Sequence, residues 1–241
     1  MQITVKTIRS LTRGLEILEA IAAHQPIGLT ALCTATGEDK SALQRTLATL
    51  HEAGWIQPAP GSSPQWELGA KAIVVSGRAR QSSSLQGRAR QLLGPLRDAT
   101  GETVHLALLT NTNLVVADVA EGMQVVRTAI PIGAFHPFEM SAAGRAIFAH
   151  SSPAQRLERT HAPEKMLTAA EYEQIRQRGW ASSAGAVLEG SNSIGAAILD
   201  AAGTPMGAIV ISGPASRLTP DRCEELGVAL TETIHALSHH H

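Results

Sequence analysis

The chain has 241 residues, of which 44% are hydrophobic and 17% charged, the balance of a folded globular protein rather than a disordered one. Two domains of about 80 and about 150 residues fit this length. The longest apolar runs, 194–199 and 206–211, fall far short of the roughly 20 residues that span a bilayer, and Met1–Lys6 lacks the apolar stretch of a secretory signal. Cys33 and Cys223, the two cysteines, offer neither a disulfide framework nor paired metal-ligand spacing, so a reducing cytoplasm is the expected setting. Net charge is −1 but unevenly spread: residues 1–90 carry 10 Lys and Arg against 6 Asp and Glu, and residues 91–241 carry 10 against 15. A basic part (+4) joined to an acidic part (−5) is the pattern of a DNA-binding module fused to another domain, with scattered surface charge as the plain alternative.

In chain order, a first helix is predicted from Ser10, its expected cap, to Ala23, with Leu11, Leu15, Leu18 and Ala22 on one stripe. His24-Gln25-Pro26-Ile27-Gly28 breaks it. A short helix over Leu29–Thr36 ends at Gly37, and a third runs from Lys40 to about Ala53 with Leu43, Leu47 and Leu50 inward. Two helices joined by a short turn containing glycine form a helix-turn-helix candidate. Gly54–Gln57 and Gln65–Gly69 flank a Pro/Gly/Ser turn and read as a hairpin, the wing. Residues 70–81 look helical, Ser82-Ser83-Ser84 marks the junction, and Leu85–Thr100 resumes helical periodicity with Pro95 as a potential kink. Beyond Gly101, strands are expected at 104–109, 114–119, 125–132, 186–189, 193–199 and 205–212, with a hairpin turn at Asn111-Thr112-Asn113. Helices are expected at 141–150, 153–159, from the capping box Thr168-Ala169-Ala170-Glu171 to Arg178, and from Pro220 onward. The implied class is α+β, a sheet with packed helices.

The order and spacing of several segments resemble the IclR family of bacterial transcription regulators. In the N-terminal part these are Ser10–Leu18, Lys40–Leu50 and the stretch from Gly54-Trp55-Ile56 to Trp66-Glu67-Leu68-Gly69. In the C-terminal part they are Gly101–Leu106, Gly144–Ala149, Arg178-Gly179-Trp180-Ala181 and Ile211-Ser212-Gly213-Pro214. The resemblance implies a winged helix-turn-helix over residues 1–70, a linker helix over 71–84 and a GAF-like effector-binding domain over 85–241. It also implies double-stranded operator DNA, a small-molecule effector and a homodimer or homotetramer, without membrane, metal, other cofactor or catalytic residues. Leu11, Leu15 and Ile73–Val75 are candidates for a dimer seam.

Gln44 has the amide geometry for adenine, and Arg45 can fork onto guanine or hold a phosphate. Ser41, Thr49 and Lys40 are candidate phosphate contacts, joined by Thr30 at the start of the second helix and by Arg9 and Arg13 near the first. A solvated helix face, or structural salt bridges for the two arginines, is the alternative. The wing segment 58–65 has no Lys or Arg and offers little to phosphates. For the effector, the resemblance points to the start of the helix after Ser141, with Ala142 and Ala143, to Ser183, Ser193 and Ser212, and to apolar walls from Ile132, Phe138, Met140 and Val210, with Phe135 weaker. Relatives that sense small oxo-acids carry Asp and Cys where this chain has Ser183 and Ser193, and two serines where it has Val210 and Ser212. A larger, partly apolar organic or aromatic acid is therefore expected. An enzyme or binding protein with an incidental helix-turn-helix is the rival reading, but no Gly-x-Ser-x-Gly elbow, phosphate loop or metal spacing among His105, His136, His150 and His161 favours it. His239–His241 is an added tag or a native tail, not a metal site.

Overall fold

The computed structural model describes residues 7–61, 64–79, 85–111 and 113–238. The expected junction at 82–84, parts of the wing turn and of the 111–113 turn, and the final histidines lie outside the described residues. The chain divides into two compact units, Met1–Gln81 and Ser82–His241.

In the first unit, helices α1 (Arg9–His24), α2 (Leu29–Thr36) and α3 (Lys40–Glu52) enclose Ile17, Ile21, Leu32, Leu43 and Leu47. Gly37 ends α2 with φ 69°, a left-handed conformation that favours glycine. Two residues on, the Asp39 carboxylate accepts the Ser41 and Ala42 amides and so fixes where α3 begins. Ile8, not Ser10, occupies the N-cap of α1, and no side chain caps it; Ser10 lies inside the helix because the chain turns helical two residues earlier than its cap chemistry suggests. Strands β2 (Ile56–Pro58) and β3 (Gln65–Leu68) form the wing, and β3 also pairs with the two-residue β1 (Ile27–Gly28), which sequence reading took as a plain break. Helix α4 (Ala70–Ala79) follows.

The second unit is a five-stranded antiparallel sheet between two helical layers. Its strands are β4 (Thr103–Leu109), β5 (Leu114–Ala120), β6 (Ala181–Ala184), β7 (Ser191–Leu199) and β8 (Pro205–Pro214), in the order β5-β4-β8-β7-β6. Helices α5 (Leu85–Thr100) and α9 (Pro220–Ser238) cover one face, where Val104, Leu106, Ile194, Ile209 and Ile211 meet Leu93, Leu96, Leu226 and Leu230. Pro95 does not end α5, which continues to Thr100. Helices α6 (Ala142–Ala149) and α8 (Ala169–Arg178) cover the other face, where Phe148, Tyr172 and Ile175 pack with Ala107, Ala181 and Ala208, and α7 (Pro153–Arg159) connects them. Side chains alternate across a strand, and both faces are covered, so the same strands carry two separate cores.

Two expected strands are absent. Residues 125–132 are irregular, and Val125 is 95% exposed: β-branched residues suit a half-buried pleated surface, and none is offered there. The outer edge of β5 is taken by the next residues instead, with Val116 N–H donating to Ala134 O and His136 N–H to Leu114 O. Residues 186–189 are likewise bends and turn; the strand is Ala181–Ala184, ended by Gly185 at φ 65°. Its Ala-Ser-Ser-Ala sequence has little strand preference, and its pairing with β7 supplies what local propensity does not.

Helix α6 makes two close backbone approaches, one to the segment that precedes it at Phe138 and one to the sheet at Gly195. A Cβ on Gly144 would sit 2.2 Å from Phe138 O, and one on Gly195 would sit 3.0 Å from Ala142 C. Gly144→Ala should therefore destabilise the second unit by about 3 kcal/mol through overpacking. Gly94→Ala, in α5 with nothing within 4 Å of the new Cβ, should be neutral or stabilising by up to about 1 kcal/mol. Urea unfolding that gives the two variants equal stability would contradict this packing.

Candidate DNA-reading helix and ligand cavity

On the first unit, Lys40, Ser41, Gln44, Arg45 and Thr49 are all exposed on α3, as are Thr30 on α2 and Arg9 on α1. Gln44, Ala48, Ser41 and Arg45 follow one another around one exposed arc at i, i+3 and i+4 spacing, with Lys40 at one edge and Thr49 at the other. Arg45 and Thr49, on the side toward α1, also line with Leu11, Leu15, Leu18 and Trp55 a groove of about 550 Å³ between α1 and α3. Several expected phosphate donors have local partners: Ser41 Oγ donates to Asp39, Thr49 Oγ1 to the Arg45 carbonyl, and Arg13 Nε pairs with Glu38 at 2.6 Å. Lys40, Gln44, Arg45 and Arg9 make no side-chain hydrogen bond or ion pair among the described residues.

On the second unit, the α6 side of the sheet holds a cavity of about 220 Å³. Strand register brings hydroxyls into a row across four strands, Ser183 opposite Ser193, Ser193 opposite Ser212 and Ser212 opposite Thr103. The outer two are occupied: Ser183 donates to Met140 O at 2.7 Å, and Thr103 to Thr128 O at 2.6 Å, so they fasten the segment 128–140 to the sheet. Ser191 bonds Thr128 and donates to Gly213 O. Ser193 and Ser212 line the cavity with no hydrogen-bond partner among the described residues, and Ser212 is only 3% exposed. The next row, Ala181, Gly195, Val210 and His105, lies on the same face. Gly195 lets the first turn of α6 rest on the strand. Ser141 caps α6 by accepting the Gly144 amide, which leaves the Ala142 and Ala143 amides unpaired among the described residues at the positive end of the helix dipole.

Of the residues expected here, Ala142, Ala143, Ser183, Ser193, Val210 and Ser212 come together. Three do not line the cavity. Ile132 is 59% exposed because the strand expected to bury it does not form. Phe138 stacks on Phe148 in the α6 core, rings 4° from parallel. Met140 contributes its carbonyl to Ser183. The apolar walls are instead Ile130, Pro131, Phe135, Val187, Leu188 and Val210. Phe135 could be suspected from sequence; Val187 and Leu188 were hidden by reading them as a strand.

Sequence reading also missed a histidine pair. His136 lines the cavity, and its Nε2 lies 3.0 Å from Nε2 of His105, with the rings stacked at 5.0 Å. Such a bond needs one N–H donor and one lone pair, which two neutral rings provide. Burial holds His136 at about 4, and burial together with His136 pushes His105 well below the ordinary histidine value. Nothing in the spacing of residues 105 and 136 announces this contact, since it depends on residues 133–136 docking on β5.

The architecture defines a DNA-binding regulator, a winged helix-turn-helix joined to a sheet-and-helix domain with an internal cavity. Residues 10–60 match the IclR helix-turn-helix domain, and residues 78–239 match the C-terminal domain of bacterial transcriptional regulators of the IclR type. The chain belongs to the IclR family. It is 32% identical over 234 residues to the acetate operon repressor of Salmonella typhimurium, covering 91% of this chain and 85% of that protein. It is also 32% identical over 236 residues to the transcriptional repressor IclR of Escherichia coli, again 91% and 85%. Among solved structures, an IclR transcriptional regulator from Alicyclobacillus acidocaldarius has the same fold, with a TM-score of 0.84 at 20% identity, covering 97% of this chain and 98% of that one. No helix among the described residues is long and apolar enough to cross a membrane.

The histidine pair predicts an acid-sensitive fold. Because the folded value of His136 lies below the unfolded one near 6.5, the unfolded chain binds the proton first as pH falls. Stability is full above about pH 6.5 and is lost toward pH 4, on the order of 3 kcal/mol for this group. Urea unfolding at pH 7 and pH 4.5 should show a smaller loss in His136→Gln than in the parent; equal losses would remove the pair from the pH response.

Proposed function

We propose that this regulator reads operator DNA through α3 and answers to a small organic or aromatic acid bound in the cavity of the second unit, so that an adjacent catabolic operon is controlled by its own metabolite. One observation carries the ligand part: Ser212, only 3% exposed, lines the cavity with no hydrogen-bond partner among the described residues, beside Ala142 and Ala143 at the start of α6, whose amides are likewise unpaired among those residues. Buried polar groups are normally satisfied, and a carboxylate would satisfy these. The curated relatives support the operon part by their names, among them the acetate operon repressor and two glycerol operon regulatory proteins from Streptomyces. On this reading the protein acts in the cytoplasm as a binding protein, not an enzyme. His136 gives Nε2 to His105, and no histidine among the described residues is bonded to Ser193 or Ser212 as a base for a nucleophile would be.

For DNA, Lys40, Ser41, Gln44 and Ala48 form the stripe we assign to the major groove, with Gln44 at a base edge. Arg45, one turn beyond Ser41 on the side toward α1, forks onto guanine or holds a phosphate. Leu11 and Leu15 are 59% and 52% exposed, and Ile73–Val75 are also exposed, which supports a homodimer joined through these helices. A ligand changes DNA binding only if it prefers one arrangement of the paired units; equal binding to both shifts nothing.

Fluorescence anisotropy with the upstream intergenic DNA tests this reading at several salt concentrations. Gln44→Ala should cost about 1–3 kcal/mol and relax base preference, whereas Arg45→Ala should weaken binding, to all sequences and with a salt slope lower by about 1 if its contact is to phosphate. Unchanged affinity in both variants would remove α3 from recognition. Sedimentation should show a dimer or a larger assembly at micromolar concentration, and a monomer with and without DNA would exclude the seam.

A further inference from the structure

The residues that line the cavity of the second unit fall into two groups by burial. At the α6 end, Ala142, Ala143, Val210 and Ser212 are each 3% exposed or less. The backbone of Ala142 rests there on the strand at Gly195, where a Cβ would sit 3.0 Å from Ala142 C. This end is blind. At the other end, Phe135, Val187 and Leu188 line the same cavity and are 67%, 48% and 52% exposed. They come from opposite edges of the sheet. Phe135 bridges to Val115 on the edge strand β5, and Val187 and Leu188 lie in the connection between β6, the other edge strand, and β7. Large apolar side chains from two edges, in contact with both the cavity and solvent, bracket its opening. The cavity holds about 220 Å³. A cavity of about 150 Å³ takes up benzene, so a carboxylate and one six-membered ring fill this one.

Building on the acid-binding role proposed above, we infer that this cavity is an open-ended slot, strict beside the carboxylate and permissive at the far end. Its ligands are acids with a tail, para or ω to the carboxylate, that runs out between the two sheet edges across Phe135, Val187 and Leu188. A branch next to the carboxylate has no room, because the first turn of α6 lies directly on β7 there, and added bulk in a close-packed interior forces its neighbours apart. A tail at the far end instead meets three exposed apolar side chains and removes their surface from water. A methylene crossing such a half-exposed wall gains about half of full burial, or about twofold in affinity. The end of the tail stays in water, so a polar or charged terminus keeps its hydration and costs little. The slot therefore selects by where a ligand carries its bulk, not by how large or how charged the ligand is.

Titration calorimetry of the full-length protein at pH 7.5 tests the inference with benzoate, 4-butylbenzoate and 2-butylbenzoate, and with terephthalate and phthalate, two dicarboxylates of equal charge. The butyl tail in the para position should tighten binding at least about fivefold over benzoate. Terephthalate should bind within about threefold of benzoate, and each ortho isomer at least about tenfold more weakly than its para isomer. Leu188 is half-exposed in the connection between β6 and β7, so Leu188→Ser should fold. It should weaken 4-butylbenzoate at least about threefold more than it weakens benzoate. Equal affinity of ortho and para isomers, or 4-butylbenzoate no tighter than benzoate, would overturn the open-ended slot while leaving an acid site in place. A Leu188→Ser variant that weakens both acids equally would do the same. Binding by none of the five acids would overturn the acid-binding reading of the cavity, and the slot with it.

Discussion

The contact of the first turn of α6 with the backbone of β7 at Gly195 governs the second unit. A helix normally stands off a sheet by the length of its side chains; here Gly195 on one side and Ala142 and Ala143 on the other remove that spacing. The amide end of the helix is thereby set beside the hydroxyl row of the sheet, and a site of neutral donors results without any charged side chain. The segment between β5 and α6 must then pass over this end, and it crosses where Gly144 leaves room for the Phe138 carbonyl. Thr103 and Ser183 tie it down on either side, and His105 and His136 close it from beneath. The opposite end of α6 is held as firmly: Arg156 donates to Phe148 O and Arg176 to Ala149 O, so cations sit at the negative pole of the helix.

The same economy appears in the first unit, where Gly37 and Asp39 fix the turn between α2 and α3. What they orient is a helix with two exposed sides, one polar and one bordered by the leucines of α1. On the proposed function, α3 lies between the surface that reads DNA and the surface that pairs with a second copy.

Much of the fold was legible in the sequence where local chemistry decides. The capping box at Thr168, the proline opening α9, the left-handed glycine after α2 and the apolar, turn-bounded runs that become β4, β7 and β8 all act within a few residues. What was not legible depends on distant partners. Residues 125–132 have the composition of a strand but no edge to join, because residues 133–136 occupy it. Residues 181–184 have no strand composition but meet β7 in register. The site divides in the same way. The small residues at the start of α6 and the three serines, to which resemblance to relatives pointed, line one cavity, whereas Ile132, Phe138 and Met140 do not, because the path of their segment depends on the missing strand. The roles within the hydroxyl row, and the histidine pair, follow only from cross-strand register.

The central claim is that occupation of the cavity in one unit alters DNA reading by the other. It is tested most directly by measuring the affinity of the upstream DNA by anisotropy with and without a saturating acid already shown by calorimetry to bind, in the parent and in Ser212→Ala. The account predicts at least a tenfold change in DNA affinity for the parent, and a response in Ser212→Ala that requires correspondingly more acid. An acid that fills the cavity and leaves the affinity for DNA unchanged would contradict it.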